Sequence, residues 1–216
     1  MTAVRVLEMF DRAVVPFSEF IAKLTDESEL VASEAREFLQ AIAPDLAYTD
    51  RAHPFQNALF FCAIHLSLYK AAEKRGVGVH QYGEAMLADL AARTGPAASD
   101  GEGDAAGISH FPERGDHPGE FDVEVVQPEP GDDSFKTGYN VKSCAICYLF
   151  AQHDAMELVP YMCASDDVVS DAQDQGLKRT GTIALGAHRC DFRYGGTDEP
   201  KRVADDYPDR IKFVHA

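Results

Sequence analysis

The hydrophobic pattern of this chain of 216 residues changes once, at an acidic, glycine-rich stretch near its middle. Ahead of that stretch, apolar residues recur every three or four positions, as they do in amphipathic helices. Behind it, apolar and polar residues alternate, as they do in strands with one buried face. Helices followed by strands predict an α+β fold, and a chain of this length can bury a core without disulfides.

Four helices are predicted in the helical half, residues 1–95. They cover 3–24, 26–42, 53–76 and 78–95. Pro16 predicts a kink in the first, and Asp26, three residues ahead of Glu29, is the favoured N-cap of the second. The third helix is apolar around most of its circumference, so we expect it at the centre of the protein.

Residues 119–216 are predicted to form a small, mostly antiparallel sheet with two inserted helices, after a linker at 96–118. Strands are predicted at 120–127, 135–144, 156–163, 177–185 and 188–194, and helices at 143–153 and 165–176. The first two strands flank the turn-forming sequence PEPGDDS, which indicates a hairpin. Pro160 favours a strand over a helix at its position, and Gly186 marks the turn between the last two strands.

Charge and cysteine usage narrow the class of partner. The net charge of −16 argues against nucleic acid, which is bound largely through Lys and Arg. The apolar residues at the start of the chain are interrupted by Glu8, Asp11 and Arg12, so they predict neither a signal peptide nor a membrane span. Five cysteines without a leader indicate free thiols and a cytoplasmic protein. We expect a small-molecule partner, no nucleic acid, no membrane and no cofactor, and a homo-oligomer is compatible with these features.

The sequence CAIC stands where a strand gives way to a helix. Cys144 is therefore expected near the positive end of a helix dipole, which lowers a thiol pKa. Cys147 follows at the spacing of a redox pair, but the βαβ context of thioredoxin-like proteins is missing. A structural zinc site is a second interpretation. It would use Cys144, Cys147, Cys163 and Cys190.

Two more groups of polar side chains lie toward the end of the chain. A strand ending at Cys163 and turning into a helix would hold Cys163 beside Asp166, although Asp166 also fits a simple helix cap. In the last strand, alternation turns Cys190 inward. Asp191 and Arg193 fall on the other face, where a surface ion pair is the simplest interpretation.

Together these motifs resemble those of a known family. Cys163 and Asp166, followed by RTGTIALGAHRCDFRY at 179–194, resemble the L-2-amino-thiazoline-4-carboxylic acid hydrolase family. Residues 59–87 resemble the helical part of the same family, so the likeness covers about two-thirds of the chain. The resemblance gives no role to Cys147 or His188.

The resemblance implies hydrolytic opening of a cyclic isothiourea to a carbamoyl derivative of cysteine. That reaction needs a nucleophile at the amidine-like carbon C2, a stabilised tetrahedral centre and a proton for the departing sulfur. We expect Cys190 to attack, Asp166 to act as base or to hold the exocyclic amidinium, and Cys163 to assist catalysis. An arginine is expected to bind the substrate carboxylate with its planar fork, and Arg179 is preferred over Arg193 for this role. Further substrate contacts are expected from Thr182, Cys144, Asp191 and Arg193.

One more interpretation stays open at this point. Helices over a small sheet can enclose a ligand without any chemistry, and the fold alone does not decide function. A non-catalytic small-molecule binding or sensory domain is therefore the main alternative to a hydrolase.

Overall fold

The structure, a computed structural model, describes residues 2–49, 53–96 and 111–196. These residues form seven α-helices and one three-stranded antiparallel sheet, which confirms the predicted α+β fold. The first five helices are α1 (Thr2–Arg12), α2 (Val14–Ile21), α3 (Ser28–Ile42), α4 (Gln56–Glu73) and α5 (Val79–Arg93). The second half contains β1 (Asp122–Val126), β2 (Thr137–Ser143), α6 (Ala145–Gln152), α7 (Val159–Ala172) and β3 (Cys190–Tyr194).

The predicted first helix is divided into α1 and α2 at Ala13. Pro16 lies in the first turn of α2, where a residue without an N–H leaves no helical hydrogen bond unmade. The N-cap of α3 is Glu27 rather than Asp26, and no side chain caps the helix there. The predicted cap was therefore wrong, because α3 begins two residues later than the pattern suggested.

Helix α4 has the central position that its apolar circumference predicts. Most of its residues are buried, and it packs against α3 on one side and α6 on the other. Helix α5 packs in turn against α7. The helical half and the sheet half therefore share one hydrophobic core.

The strand predicted at 156–163 is wrong. Met156–Leu158 form a turn of 3-10 helix, and α7 follows directly from Val159. Pro160 is the second residue of α7, a position at which proline does not interrupt helical hydrogen bonding. The helix predicted at 165–176 is thus the second half of a longer one.

The strand predicted at 177–185 is also wrong. Only Lys178 pairs with the sheet, through a single bridge to Arg193. The next residues turn away because the Asp191 carboxylate accepts hydrogen bonds from the backbone of Thr180 and Gly181. A short 3-10 turn, Ile183–Leu185, then leads into the final strand.

The sheet has the order β1-β2-β3, and β2 is its middle strand. The predicted hairpin is confirmed, because β1 and β2 pair antiparallel. Across β2 and β3, Tyr139 lies opposite Phe192 and Val141 lies opposite Cys190. All four side chains are buried, so one face of this pair of strands forms a wall of the protein interior.

Two further expectations concern the organisation of the chain. The boundary predicted at 96–118 stays a prediction, since residues 97–110 lie outside the described part of the chain. No helix within the described ranges is long and apolar enough to cross a bilayer.

The contact between α5 and α7 can be tested at Gly83. A methyl group there would lie 2.3 Å from the ring of Tyr161, which is buried and hydrogen-bonded to His80. We expect Gly83→Ala to lower the free energy of unfolding by about 1–3 kcal/mol, the usual cost of overpacking. Urea denaturation measures this change. The matched control is Gly95→Ala, where no atom lies within 4 Å of the added methyl group; equal stability of the two variants would contradict the close packing.

Candidate active site

A cavity of about 110 Å³ lies between α4, α7 and the inner face of the sheet. This volume is enough for several water molecules or a small ligand. Five of the residues predicted for the site line it: Cys144, Cys163, Asp166, Arg179 and Cys190. Cys62 of α4 also lines it.

Local structure explains how these groups meet. Cys163 and Asp166 are three residues apart on α7, so they share one face of the helix. Cys144 is the N-cap of α6, directly after β2. Cys190 begins β3 and points to the inner face of the sheet. The juxtaposition of Cys163 and Asp166 is as predicted, but a helix produces it rather than the end of a strand.

Arg179 is the centre of a buried ion cluster. Its side chain is 1% exposed, and its two terminal nitrogens contact Asp166 at 2.8 Å and Asp167 at 3.1 Å. Nη2 also donates to the carbonyl oxygen of Cys163 at 2.9 Å. The guanidinium lies over the ring of Phe192, 4.8 Å from its centroid. Because the two carboxylates outweigh the cost of burial, the pKa of Arg179 is raised above its ordinary value.

The two carboxylates of this cluster differ in their access to the cavity. The Asp167 side chain is only 5% exposed, whereas that of Asp166 is 43% exposed and lines the cavity. Burial raises the pKa of Asp166, and the positive charge of Arg179 opposes that rise. Asp166 is therefore the carboxylate that a ligand can reach.

The thiols that line the cavity are held in their neutral form. Burial raises the pKa of Cys62 and Cys163 well above the ordinary value. A hydrogen bond with Cys147, together with burial, does the same for Cys144. The lowered pKa predicted for Cys144 was therefore wrong, since backbone N–H groups at the helix end do not offset these two effects.

A backbone N–H points at the sulfur of Cys190. Burial raises its pKa to about 11, and the backbone N–H of Ile183, which approaches its sulfur at 3.3 Å, lowers it in part. The turn that carries Ile183 is fixed by Asp191, whose carboxylate also accepts from the Thr180 hydroxyl at 2.5 Å. This turn aims a hydrogen-bond donor at the Cys190 sulfur.

Three residues predicted to bind substrate do not line the cavity: Thr182, Asp191 and Arg193. Thr182 is buried beside the turn at 183–185. Asp191 holds that turn, as described above. Arg193 donates to the backbone oxygens of Tyr139 and Phe192 and to the Asn140 side chain, which ties it to the sheet. Their predicted contacts with substrate stay predictions, and the contacts made here are structural.

Sequence reasoning missed the aromatic lining of the cavity. It consists of Phe55, Phe61, Phe121, Tyr139 and Phe192. Tyr139 and Phe192 stack across the two strands, with ring centroids 4.7 Å apart. The alternation of inward-facing and outward-facing residues along β2 and β3 could have indicated that these two side chains face the interior. The other three residues come from separate parts of the chain.

The arrangement of ligating side chains bears on the zinc interpretation. Among the residues that the structure describes, no group of three or more His, Cys, Asp or Glu side chains is arranged to hold a metal ion. The cavity instead combines neutral thiols, one accessible carboxylate and one paired guanidinium.

A comparison with protein-family models matched residues 56–194 to the L-2-amino-thiazoline-4-carboxylic acid hydrolase family. The chain belongs to this family. The match extends from the start of α4 to the end of β3, so it includes every residue that lines the cavity except Phe55. The family name indicates a hydrolase. Comparisons with curated proteins and with solved structures gave no match.

The raised pKa of Cys190 predicts how this family member reacts with iodoacetamide. Well below a pKa of about 11, the thiolate fraction grows about tenfold for each unit of pH. We therefore expect Cys190 labelling to accelerate by about tenfold per unit from pH 7 to pH 9.5, and Cys190 to react before Cys62. Peptide mass spectrometry at limiting reagent measures both rates. N-acetylcysteine is the control, and a Cys190 rate that levels off near pH 8.5, as that of an ordinary thiol does, would contradict the burial argument.

Proposed function

We propose that this protein hydrolyses a small cyclic isothiourea, such as 2-amino-thiazoline-4-carboxylate, with Cys190 as nucleophile. The observation that carries the proposal is the convergence of Cys190, Cys163 and Asp166 on one aromatic-lined cavity. The family name supports the same reaction class. The thiol and the carboxylate that the reaction needs thus line the same cavity.

The first step joins the Cys190 sulfur to C2 of the ring, while the thiol proton passes to Asp166. The adduct collapses with cleavage of the bond between C2 and the ring sulfur, which takes that proton and leaves as a thiol. An isothiouronium linked through Cys190 remains. Water then adds to the same carbon and loses a proton to Asp166. The bond to Cys190 breaks as Asp166 returns that proton to the departing sulfur, and the new hydroxyl group loses its own proton to solvent as the urea carbonyl forms. One water is consumed, and the product is an N-carbamoyl aminothiol.

Because its pKa is about 11, Cys190 is protonated at neutral pH, and its attack on the ring requires interactions that favour the thiolate. We propose two such interactions. Asp166 accepts the proton, and the amidinium of the bound ring supplies a positive charge that favours the thiolate. The N–H of Ile183, at 3.3 Å from the sulfur, stabilises the thiolate further. The nucleophile is thus activated by the substrate it attacks.

The remaining site residues have supporting roles in this proposal. Cys163 and Cys144 contact the ring from the α7 and α6 sides of the cavity. Arg179 positions Asp166, with which it forms an ion pair at 2.8 Å. Asp191 and Thr182 act through the turn that carries Ile183, and Arg193 acts through the sheet.

A second candidate function is a non-catalytic binding or sensory domain. The observation that favours it is the neutral state of the thiols, since burial raises the pKa of each one described above. Such a domain would bind a cyclic isothiourea tightly and release it unchanged.

Turnover of 2-amino-thiazoline-4-carboxylate and related rings by purified protein distinguishes the two functions. We expect Cys190→Ser and Asp166→Asn each to lower kcat by about a hundredfold or more, the usual contribution of an acid–base or nucleophilic group. The two effects should not add, because groups that act as a unit lose most of their effect together.

The matched controls are Cys147→Ser and Asp174→Asn, which make the same chemical changes outside the cavity lining. Both should keep near-normal turnover. Full activity in Cys190→Ser would rule out attack on the ring by the Cys190 sulfur. Tight binding without turnover by the wild-type protein would instead favour the sensory domain.

A further inference from the structure

The proposed reaction gives no role to the second cysteine of the CAIC sequence. Cys144 is the N-cap of α6, and Cys147 is the third residue of that helix. The backbone carbonyl of Cys144 accepts a hydrogen bond from the N–H of Tyr148 at 3.1 Å, so the first helical turn starts at Cys144. Both thiols are free and half-buried in this structure. The two cysteines thus lie within one turn at the start of α6.

The geometry of this first turn suits a disulfide. Residues three apart in an α-helix have Cα atoms about 5 Å apart, within the range of about 4.4–6.8 Å that disulfides use. A helical side chain leans toward the N-terminus of its helix, so the side chain of Cys147 leans toward Cys144. A hydrogen bond already joins the two thiols. A disulfide between them therefore needs no rearrangement of α6.

The other thiols near Cys144 are less suitable partners. Cys62, Cys163 and Cys190 also line the cavity, but they come from α4, α7 and β3. A disulfide to any of them would link two separate elements, whose spacing is set by the packing of the core. Cys147, on the same helical turn, is the partner that Cys144 can reach within one element.

The surroundings of the pair differ from those of a thioredoxin-like oxidoreductase. Helix α6 is followed by α7, so the strand that would complete a βαβ unit is not there. Cys144 lines the cavity, whereas Cys147 is not among the lining residues. One sulfur of the pair therefore belongs to the candidate site and the other lies outside its lining. This arrangement suits a switch that acts on the α6 wall of the cavity.

We propose that Cys144 and Cys147 are a reversible dithiol–disulfide pair that responds to small thiols and disulfides around the protein. One cysteine sulfur attacks a small disulfide and releases one thiol from it. The second cysteine sulfur then attacks the mixed disulfide and releases the other thiol. The protein loses two hydrogens and two electrons, which the small disulfide gains. Excess small thiol reverses both steps.

The disulfide itself goes beyond the proposed hydrolysis, but its effect on turnover rests on that function. The sulfurs of a disulfide are about 2.05 Å apart, so oxidation draws the Cys144 sulfur toward Cys147 and away from the ring that it is proposed to contact. Lost contacts with the bound ring lower its affinity. KM should therefore rise by about threefold or more, with little change in kcat.

Peptide mass spectrometry tests the pair in the full-length protein. The protein is equilibrated with oxidised or reduced glutathione, trapped with N-ethylmaleimide under denaturing conditions, and cut with trypsin and chymotrypsin. Cleavage after Lys142 and Tyr148 places Cys144 and Cys147 in one peptide and Cys163 in another. In oxidised glutathione, at least about half of peptide 143–148 should carry no label and be two hydrogens lighter. In reduced glutathione the same peptide should carry two labels.

Two cysteine variants separate this pair from the other thiols. Cys147→Ser should lose the disulfide and keep the same KM in both glutathione buffers. Cys190→Ser is the matched control, because it makes the same chemical change and leaves both partners in place. Peptide 143–148 of this variant should still become oxidised, although the proposed nucleophile is missing.

The possible outcomes separate the inference from the reaction. Two labels on peptide 143–148 in every glutathione buffer would overturn the inference, and so would a disulfide from Cys144 to a different peptide. A disulfide that forms in wild type and leaves KM unchanged would overturn its effect on the site. Absence of turnover of 2-amino-thiazoline-4-carboxylate by the reduced wild-type protein would overturn the proposed hydrolysis, and the labelling of peptide 143–148 would still decide the inference.

Discussion

The ion cluster around Arg179 is the interaction on which the rest of this structure depends. A guanidinium that is 1% exposed is stable only when anions and hydrogen-bond acceptors surround it, and α7 supplies both through Asp166, Asp167 and the Cys163 carbonyl. The ring of Phe192 on β3 covers its face. The cluster thereby fixes α7 against the sheet, and this relation brings Asp166 and Cys190 to the same cavity.

The same burial that holds the cluster together shapes the chemistry of the site. The apolar and aromatic walls desolvate the thiols, which raises their pKa and keeps them neutral. Under the proposed reaction, Cys190 stays a neutral thiol until the cationic ring enters the cavity, so that binding of the ring and activation of the thiol are one event.

Local patterns in the sequence were enough for the helical half, the first hairpin and the inward face of β3. They failed at 156–163, because Pro160 is compatible with both a strand and the first turn of a helix. They failed again at 177–185, where Arg179 and Asp191 make contacts with distant residues that override strand propensity. The same limit applies to the candidate site. Cys163, Asp166 and Cys190 could be chosen as candidate residues from their motifs, whereas the pairing of Arg179 with two carboxylates depends on contacts that no local pattern shows.

The central claim, that the ion cluster of Arg179 holds α7 against the sheet, is tested most directly by the stability of Arg179→Met without ligand. The substitution removes the guanidinium that contacts Asp166 and Asp167, and loss of one partner from a buried ion pair costs about 3–5 kcal/mol. Urea denaturation of the ligand-free variant and of wild type should therefore differ by about that amount. Unchanged stability of the free variant, combined with a loss of affinity for 2-amino-thiazoline-4-carboxylate, would contradict the account and make Arg179 the carboxylate anchor.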